Sequence, residues 1–297
     1  MAEPTTLTPL TSAPALRARG VWPTLRRRAA FWIPAAVLVV LVVIAVAPGW
    51  VAGFFGNGDP RVCDLARTVG SATDGHPFGF DVQGCDVYAN VVHGTRNSLL
   101  VGFTATILAL LIALVVGTLA GLRDGWSDTL FARTTDVFLG FPFLLGALVV
   151  LISLGDRSVW TVSLVLGIFS WPVMARLVRA SVRSVRGAEF VLASQAMGIG
   201  GWRTVTRHVL PNALGPVLAV ATIAVGQIIV AESTLTYLGV GLQAPAISWG
   251  RQLAEAQQQL SSAPHLLIWP GSFLAVTVLS LIWLGDVLRD ALDPRQR

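Results

Sequence analysis

The stretch "EFVLASQAMGIGGWRTVTRHVLPN", residues 189–212, is polar, basic and broken by glycine, yet it sits between two long apolar runs. "EFVLASQAM" reads as a short helix with an acid, Glu189, in its first turn and small residues, Ala193, Ser194 and Ala196, on its surface. "GIGG" breaks that helix, "WRTVTRHV" offers a second one, and "LPN" leads into the next apolar run. The segment is too polar to lie in hydrocarbon, so it predicts a compact helix-turn-helix projecting from whatever the flanking runs cross. Read without further context, it also serves as an ordinary basic loop at a membrane edge.

The rest of the chain supplies the membrane. Of its 297 residues, 54% are hydrophobic and only 12% charged, and the mean hydropathy is +0.69, far from a soluble globular domain. Six apolar runs, residues 31–51, 98–119, 137–154, 159–177, 214–237 and 266–284, approach or exceed the length that crosses a bilayer core as helix, about 20 residues. They lack the polar faces a soluble helical bundle needs. Trp22, Trp32, Trp50, Trp126, Trp160, Trp202 and Trp249 fall near run ends or in connections, where amphipathic rings favour the headgroup layer.

All 21 basic residues are arginine. With the N-terminus inside, Arg61, Arg67, Arg96, Arg157 and Arg251 lie outside and the other sixteen inside, which fixes an N-in, C-in topology. The net charge of +5 therefore reflects topology, not a nucleic-acid surface. The first run contains Ala45-Val46-Ala47, which has the form of a signal-peptidase site, but the run is long for a signal core and reads as a retained anchor. Residues rich in Thr, Pro and Ala before it read as a disordered cytoplasmic tail.

The outer segment, residues 52–97, holds both cysteines, Cys63 and Cys85. Confined to the oxidising side, they read as a disulfide; independent buried thiols, or a metal site with His76 or Asp81, are the alternatives. Catalytic patterns are missing: there is no G-x-S-x-G, H-E-x-x-H or C-x-x-C, and without a lysine no phosphate-binding P-loop. His76, His93, His208 and His265 are scattered over different connections. Any ATP-driven work needs another chain to bind the nucleotide. Glu232, in "IIVAESTLTYLG", is an acid within an apolar run; it reads as a residue facing a pore near its outer end, or as a helix-terminal carboxylate reaching interfacial water.

Against known families, residues 189–212 resemble the coupling loop of type I ABC importer permeases, with Ala193, Gly198, Leu210 and Pro211 at the matching positions and His208 and Asn212 in an ending typical of peptide permeases. Leu192 stands in place of that motif's glutamate and Ser194 in place of its second alanine. "HPFGFDVQGCDVYANVVHGTRNSLLVG", residues 76–102, resembles the C-type subunit of dipeptide and oligopeptide importers, with Cys85 where arginine is usual. "AESTLTYLGVGLQAPAISWGRQLAEA", residues 231–256, and "GDVLRDALDPR", residues 285–295, match in order and spacing.

The resemblance implies an all-α fold of six transmembrane helices in a bacterial cytoplasmic membrane, forming half of a peptide translocation pore. The expected layout is a tail at 1–30, an anchor at 31–51, an extracytoplasmic segment at 52–97, a transmembrane domain at 98–286 and a tail at 287–297. It further implies a non-catalytic subunit with no cofactor of its own, ATP and Mg being held by two cytoplasmic ATPase subunits or one fused ATPase. The other implied partners are a second homologous permease, an extracytoplasmic substrate-binding protein and membrane lipid, with no nucleic acid. Residues Glu189, Ala193, Ser194, Gly198, His208, Leu210, Pro211 and Asn212 would engage the ATPase. Nickel or glutathione are alternative cargoes of the same fold, and an ATP-independent channel or secondary transporter is the rival of another class.

Overall fold

The computed structural model describes residues 25–292 apart from 27 and 57, and leaves the side chain of 127 undescribed. Of the expected tail at 1–30, residues 1–24, with Trp22, and 27 lie outside the described residues. Ten helices follow in order: α1 Ala29–Val46, α2 Pro48–Ala52, α3 Val87–Leu122, α4 Trp126–Gly140, α5 Phe143–Leu154, α6 Val159–Arg186, α7 Glu189–Ala196, α8 Gly201–Tyr237, α9 Trp249–Ala256 and α10 His265–Leu292. Five are long and apolar enough to cross a membrane: α1, α3, α6, α8 and α10.

The sixth crossing is not the straight helix expected at 137–154. α4 and α5 meet at a bend of 81° over Phe141 and Pro142, and pass the test for a span only as a pair. Pro142 explains the break: a residue before proline is driven from the helical region, and Phe141 is extended at φ −87°, ψ 130°. Counting that pair as one, the described residues form an all-helical fold with six segments long and apolar enough to cross a membrane.

The core is organised by the seam between α3 and α6. Along α3, Ala105, Ala109, Ala113, Gly117 and Gly121 recur at every fourth position and are all buried. One stripe of small residues lets α6 approach backbone to backbone, which is how helices associate where lipid removes the hydrophobic drive. A Cβ placed on Gly117 would lie 2.6 Å from the Ala175 carbonyl oxygen, and one on Gly167 2.9 Å from that of Ala105. Around this seam, Val101, Val165, Leu166, Ile228 and Leu235 form the outer part of the core, and Met174, Val178, Val182, Val209 and Val217 the inner part. α10 and α1 close the far side through Leu41, Val225, Ile229 and Leu281.

Helix α3 begins eleven residues before the expected span. At 1.5 Å per residue its 36 residues extend about 54 Å, well beyond a hydrocarbon core of about 30 Å. Its first turns therefore stand outside the bilayer and carry the outer segment. There Cys63 and Cys85 are joined as a disulfide, with Cα atoms 4.0 Å apart. Gly84, at φ +74°, makes the turn before Cys85; a Cβ there would sit 1.9 Å from the Asp64 carbonyl oxygen. Asp81 holds the same turn by accepting from the N–H groups of Gln83 and Cys85, each at 2.8 Å, while burial pushes its carboxyl above the ordinary value. Phe78 stacks on Trp269 at 3.8 Å and meets Tyr88 edge-on, fastening the segment to α3 and α10.

Two further expectations change. α10 continues to Leu292, so residues 287–292 of the expected tail are helical. Trp249 is fully buried, unlike Trp50, Trp126, Trp160 and Trp202, which are 67–81% exposed as interfacial residues should be. Its ring is an internal wedge whose Nε1 donates to the Val91 carbonyl at 3.1 Å. The α3–α6 seam makes a direct prediction. Gly117→Leu should destabilise the purified protein by about 3 kcal/mol, read as a lowered thermal midpoint in detergent, whereas Val115→Leu, at a position 61% exposed, should leave it unchanged.

Candidate functional site

Two places carry unusual chemistry, and they lie at opposite ends of α3. At the inner end, α6 runs out to Arg186, turns at Gly187 and Ala188, and continues as α7. Only two residues of α7 face the body of the protein: Val191, fully buried in the inner core, and Ser194, 2% exposed, whose hydroxyl donates to the Val191 carbonyl at 2.7 Å. Ser194 was expected on the outer surface; it is instead part of the footing, because it follows Val191 by three residues and so shares its face.

Glu189 and Ala193 are exposed, as expected, on the opposite side. The helix ends in a Schellman turn: the N–H of Gly198 bonds to the Gln195 carbonyl at 2.9 Å and that of Ile199 to the Ser194 carbonyl at 3.2 Å. Gly198 has φ +78° with nothing within 4 Å of where a Cβ would be, so its requirement is backbone conformation and not space.

The second helix is no separate unit. It joins the following span without a break, so that α8 runs over 37 residues from Gly201 to Tyr237. Pro211, expected to turn the chain, sits within this helix. Proline lacks the N–H for the normal helical bond and its ring crowds the carbonyl four residues before. The chain adapts by widening into a π turn at Val205–Val209, where the Leu210 N–H reaches the Val205 carbonyl. Leu210 is half-buried, Pro211 and Asn212 are exposed, and Asn212 Nδ2 donates to the His208 carbonyl at 2.7 Å. The expected residues thus form two groups: Glu189, Ala193 and Gly198 at the tip, and His208 to Asn212 on α8.

The tip also presents large apolar side chains that sequence reasoning passed over. Phe190 is 47% exposed, Leu192 52%, Met197 74% and Trp202 81%. Four such residues on one short projection are an unburied apolar surface. The available signal was their presence within an otherwise polar connection.

At the outer end stands Glu232. It was expected either to face a pore or to reach interfacial water from a helix end; its own chain encloses it completely. Oε1 accepts from Thr236 Oγ1 at 2.8 Å and Ser248 Oγ at 3.3 Å, and Oε2 from Ser233 Oγ at 3.3 Å. Thr236 Oγ1 in turn accepts from the Leu242 N–H at 3.0 Å. The acid therefore ties the end of α8 to both limbs of the loop at residues 238–248. That loop docks on upper α3, where Asn97 Nδ2 donates to the Ile247 carbonyl at 2.7 Å and the Trp249 N–H to Ser98 Oγ at 3.2 Å. Between the two ends, a groove of about 720 Å³ runs along the bend of α4 and α5, lined by Phe138, Phe141, Phe143, Phe169, Gln227 and Thr234 among others.

Residues 113–297 match the family described as "Binding-protein-dependent transport system inner membrane component". The chain is similar to the dipeptide transport system permease protein DppC of Alkalihalophilus pseudofirmus, 38% identical over 222 residues, 75% of this chain and 73% of that one. It is 33% identical to the glutathione transport system permease protein GsiD of Pectobacterium atrosepticum, covering 88% of this chain and 86% of that one. The oligopeptide transport system permease protein OppC of Haemophilus influenzae is 32% identical, with 95% and 91% covered. Among solved structures, an amino acid ABC transporter crystallised with histidines superposes with a TM-score of 0.52 at 15% identity, over 67% of this chain and 92% of that one; it supports the fold alone.

Removal of the buried acid tests the outer network. Glu232→Ala leaves hydroxyls of Ser233, Thr236 and Ser248 without their acceptor, a loss of about 3 kcal/mol. The expected outcome is faster hydrogen exchange across 238–248 with exchange at 105–121 unchanged, measured by mass spectrometry.

Proposed function

The chain belongs to the binding-protein-dependent transport system inner membrane component family and is a multi-pass permease of the bacterial inner membrane, and from that premise we propose that it forms half of the pore of an ATP-driven peptide importer, moved by ATPase subunits that grip residues 189–212. A second permease of the same kind completes the pore, and an extracytoplasmic binding protein delivers the cargo to the end carrying the disulfide. The relatives named for dipeptide, oligopeptide and glutathione transport support a peptide-like cargo over nickel.

The observation that carries the reading is the exposed apolar tip around Ala193, held on a footing of Val191 and Ser194. A loop that only satisfies membrane topology needs arginine charge and no apolar surface. A surface that receives a mechanical stroke needs apolar contact outward and rigid seating inward, and α7 has both. Ala193 lets a partner approach closely, and the Gly198 turn sends the chain directly into α8, which runs on to Glu232.

Three substitutions separate the two readings. Ala193→Trp and Gly198→Val should give normally inserted permease that loses its ATPase subunits on purification, with cargo-stimulated ATP hydrolysis down about tenfold or more. Arg203→Gln, at an exposed position, should retain both. Full coupling in the two bulky variants refutes the docking role.

The outer end has its own part in this reading. Glu232 controls the outer gate by fixing the 238–248 loop, not by meeting cargo. Glu232→Gln keeps one acceptor oxygen but puts an NH2 donor where the other accepted a hydroxyl, so uptake should fall and hydrolysis without cargo should rise; if reconstituted vesicles show neither change, the gate lies elsewhere.

A further inference from the structure

Helix α4 is held to the protein in an unusual way. Four of its large apolar side chains point away from the chain: Trp126 is 79% exposed, Val137 69%, Leu130 47% and Leu139 38%. Among its described residues the buried ones are Asp128 and Thr135, both polar. A cavity of about 380 Å³, lined by Gly117, Ala120, Phe131, Ala132, Ala175 and Arg179 among others, separates it from α3 and α6. Apart from Phe138 at its C-terminal end, which meets Trp171 edge-on at 5.3 Å, little apolar packing fixes where α4 lies.

Ion pairs do. Four arginines of α6 meet three aspartates of the α3–α4 corner and α4. Arg176 pairs with Asp136. Arg179 grips Asp128 with both arms of its fork, Nε at 2.6 Å and Nη2 at 2.7 Å. Arg183 bridges Asp128 at 3.2 Å and Asp124 at 2.9 Å, and Arg186 reaches Asp124 at 2.6 Å and the Gly121 carbonyl at 3.0 Å. Hydrogen bonds from Arg183 and then Arg186 hold the Asp124 carboxyl below its ordinary value, so the lower rung stays charged through neutral pH and is lost only as acid protonates the aspartate. Exposed ion pairs contribute little singly, but Asp128 is buried and its pairing is bidentate.

The position of this ladder gives it a role. Its lowest rung, Arg186, lies three residues before Glu189 and the tip, while α4 leads upward to the bend that walls the 720 Å³ groove with Phe138, Phe141 and Phe143. We propose that the Arg176–Arg179–Arg183–Arg186 ladder with Asp124, Asp128 and Asp136 makes α4 and the inner end of α6 one moving body, which carries the stroke received at residues 189–212 to the bend of the broken span. These are positioning residues; none touches ATP or cargo. The inference rests on the docking role proposed for the tip.

The test uses the complete transporter, reconstituted with partner permease, ATPase subunits and binding protein, and reads cargo taken up per ATP hydrolysed. Asp128→Asn should retain its ATPase subunits and stimulated hydrolysis, while uptake per ATP falls about tenfold; Asp128→Glu should keep at least half of the parent ratio. A second arm adds Ala132→Cys and Ala175→Cys, which line the cavity between α4 and α6, and joins them with a bifunctional thiol reagent; the native cysteines are already paired. Joining should restore the ratio in Asp128→Asn and leave it unaltered in the Asp128 background. An unchanged ratio in Asp128→Asn overturns the proposal, as does loss of the ATPase subunits from that variant, or failure of the covalent link to restore it. Absence of ATPase subunits from the parent complex instead refutes the docking role itself, and the ladder's role with it.

Discussion

Everything in this protein is arranged about the close approach of α3 and α6. Lipid tails are as apolar as leucine, so these helices gain little by hiding apolar surface from their surroundings, and dispersion between well-fitted surfaces has to hold them. A small residue every fourth position from Ala105 to Gly121 provides that fit, with Ala175 and Val178 of α6 pressed against the glycines. Once the two helices are fixed, the outer loop, the inner tip and the broken span each have a surface on which to sit.

The two ends use that support differently. At the outer end, hydrogen bonds lock separate elements into one piece: Glu232 joins α8 to its loop, and Asn97 and Ser98 join that loop to α3. Buried polar groups of this kind are costly to separate, because each lost partner leaves an unsatisfied atom. At the inner end, charge bridges elements that pack loosely, and apolar side chains are turned outward. Such a division suits the role proposed above, in which one end receives force and the other holds a barrier.

Several differences between the expected and observed structure trace to single residues. Residues 137–154 read as one span because apolar content alone says nothing of backbone direction; Pro142 was the visible warning, but the 81° bend follows only from how α4 and α5 rest on α6. Pro211 sits within a continuous helix, because a π turn absorbs it. Ser194 was assigned outward from its small size, when its spacing from Val191 placed it inward. Glu232 was read as facing a pore or reaching interfacial water because an acid in an apolar run needs water or partners, and three hydroxyls, one of them sixteen positions away, supply the partners.

By itself the sequence determined what depends on composition, order and local backbone chemistry. Apolar run lengths fixed a membrane protein, arginine placement fixed its sides, and four ordered motifs identified the family later matched over residues 113–297. The glycine at 198 told of a turn because few other residues adopt that backbone angle. Tertiary structure alone decided which side chains meet. That α6 fills the stripe on α3, that four arginines on one helix find three aspartates on α4 and the corner before it, and that Trp249 is buried while Trp202 is bare are outcomes of three-dimensional packing between residues as far as 158 positions apart. Periodicity names the face a helix will bury, but the partner of that face is settled only when all the helices compete for it at once.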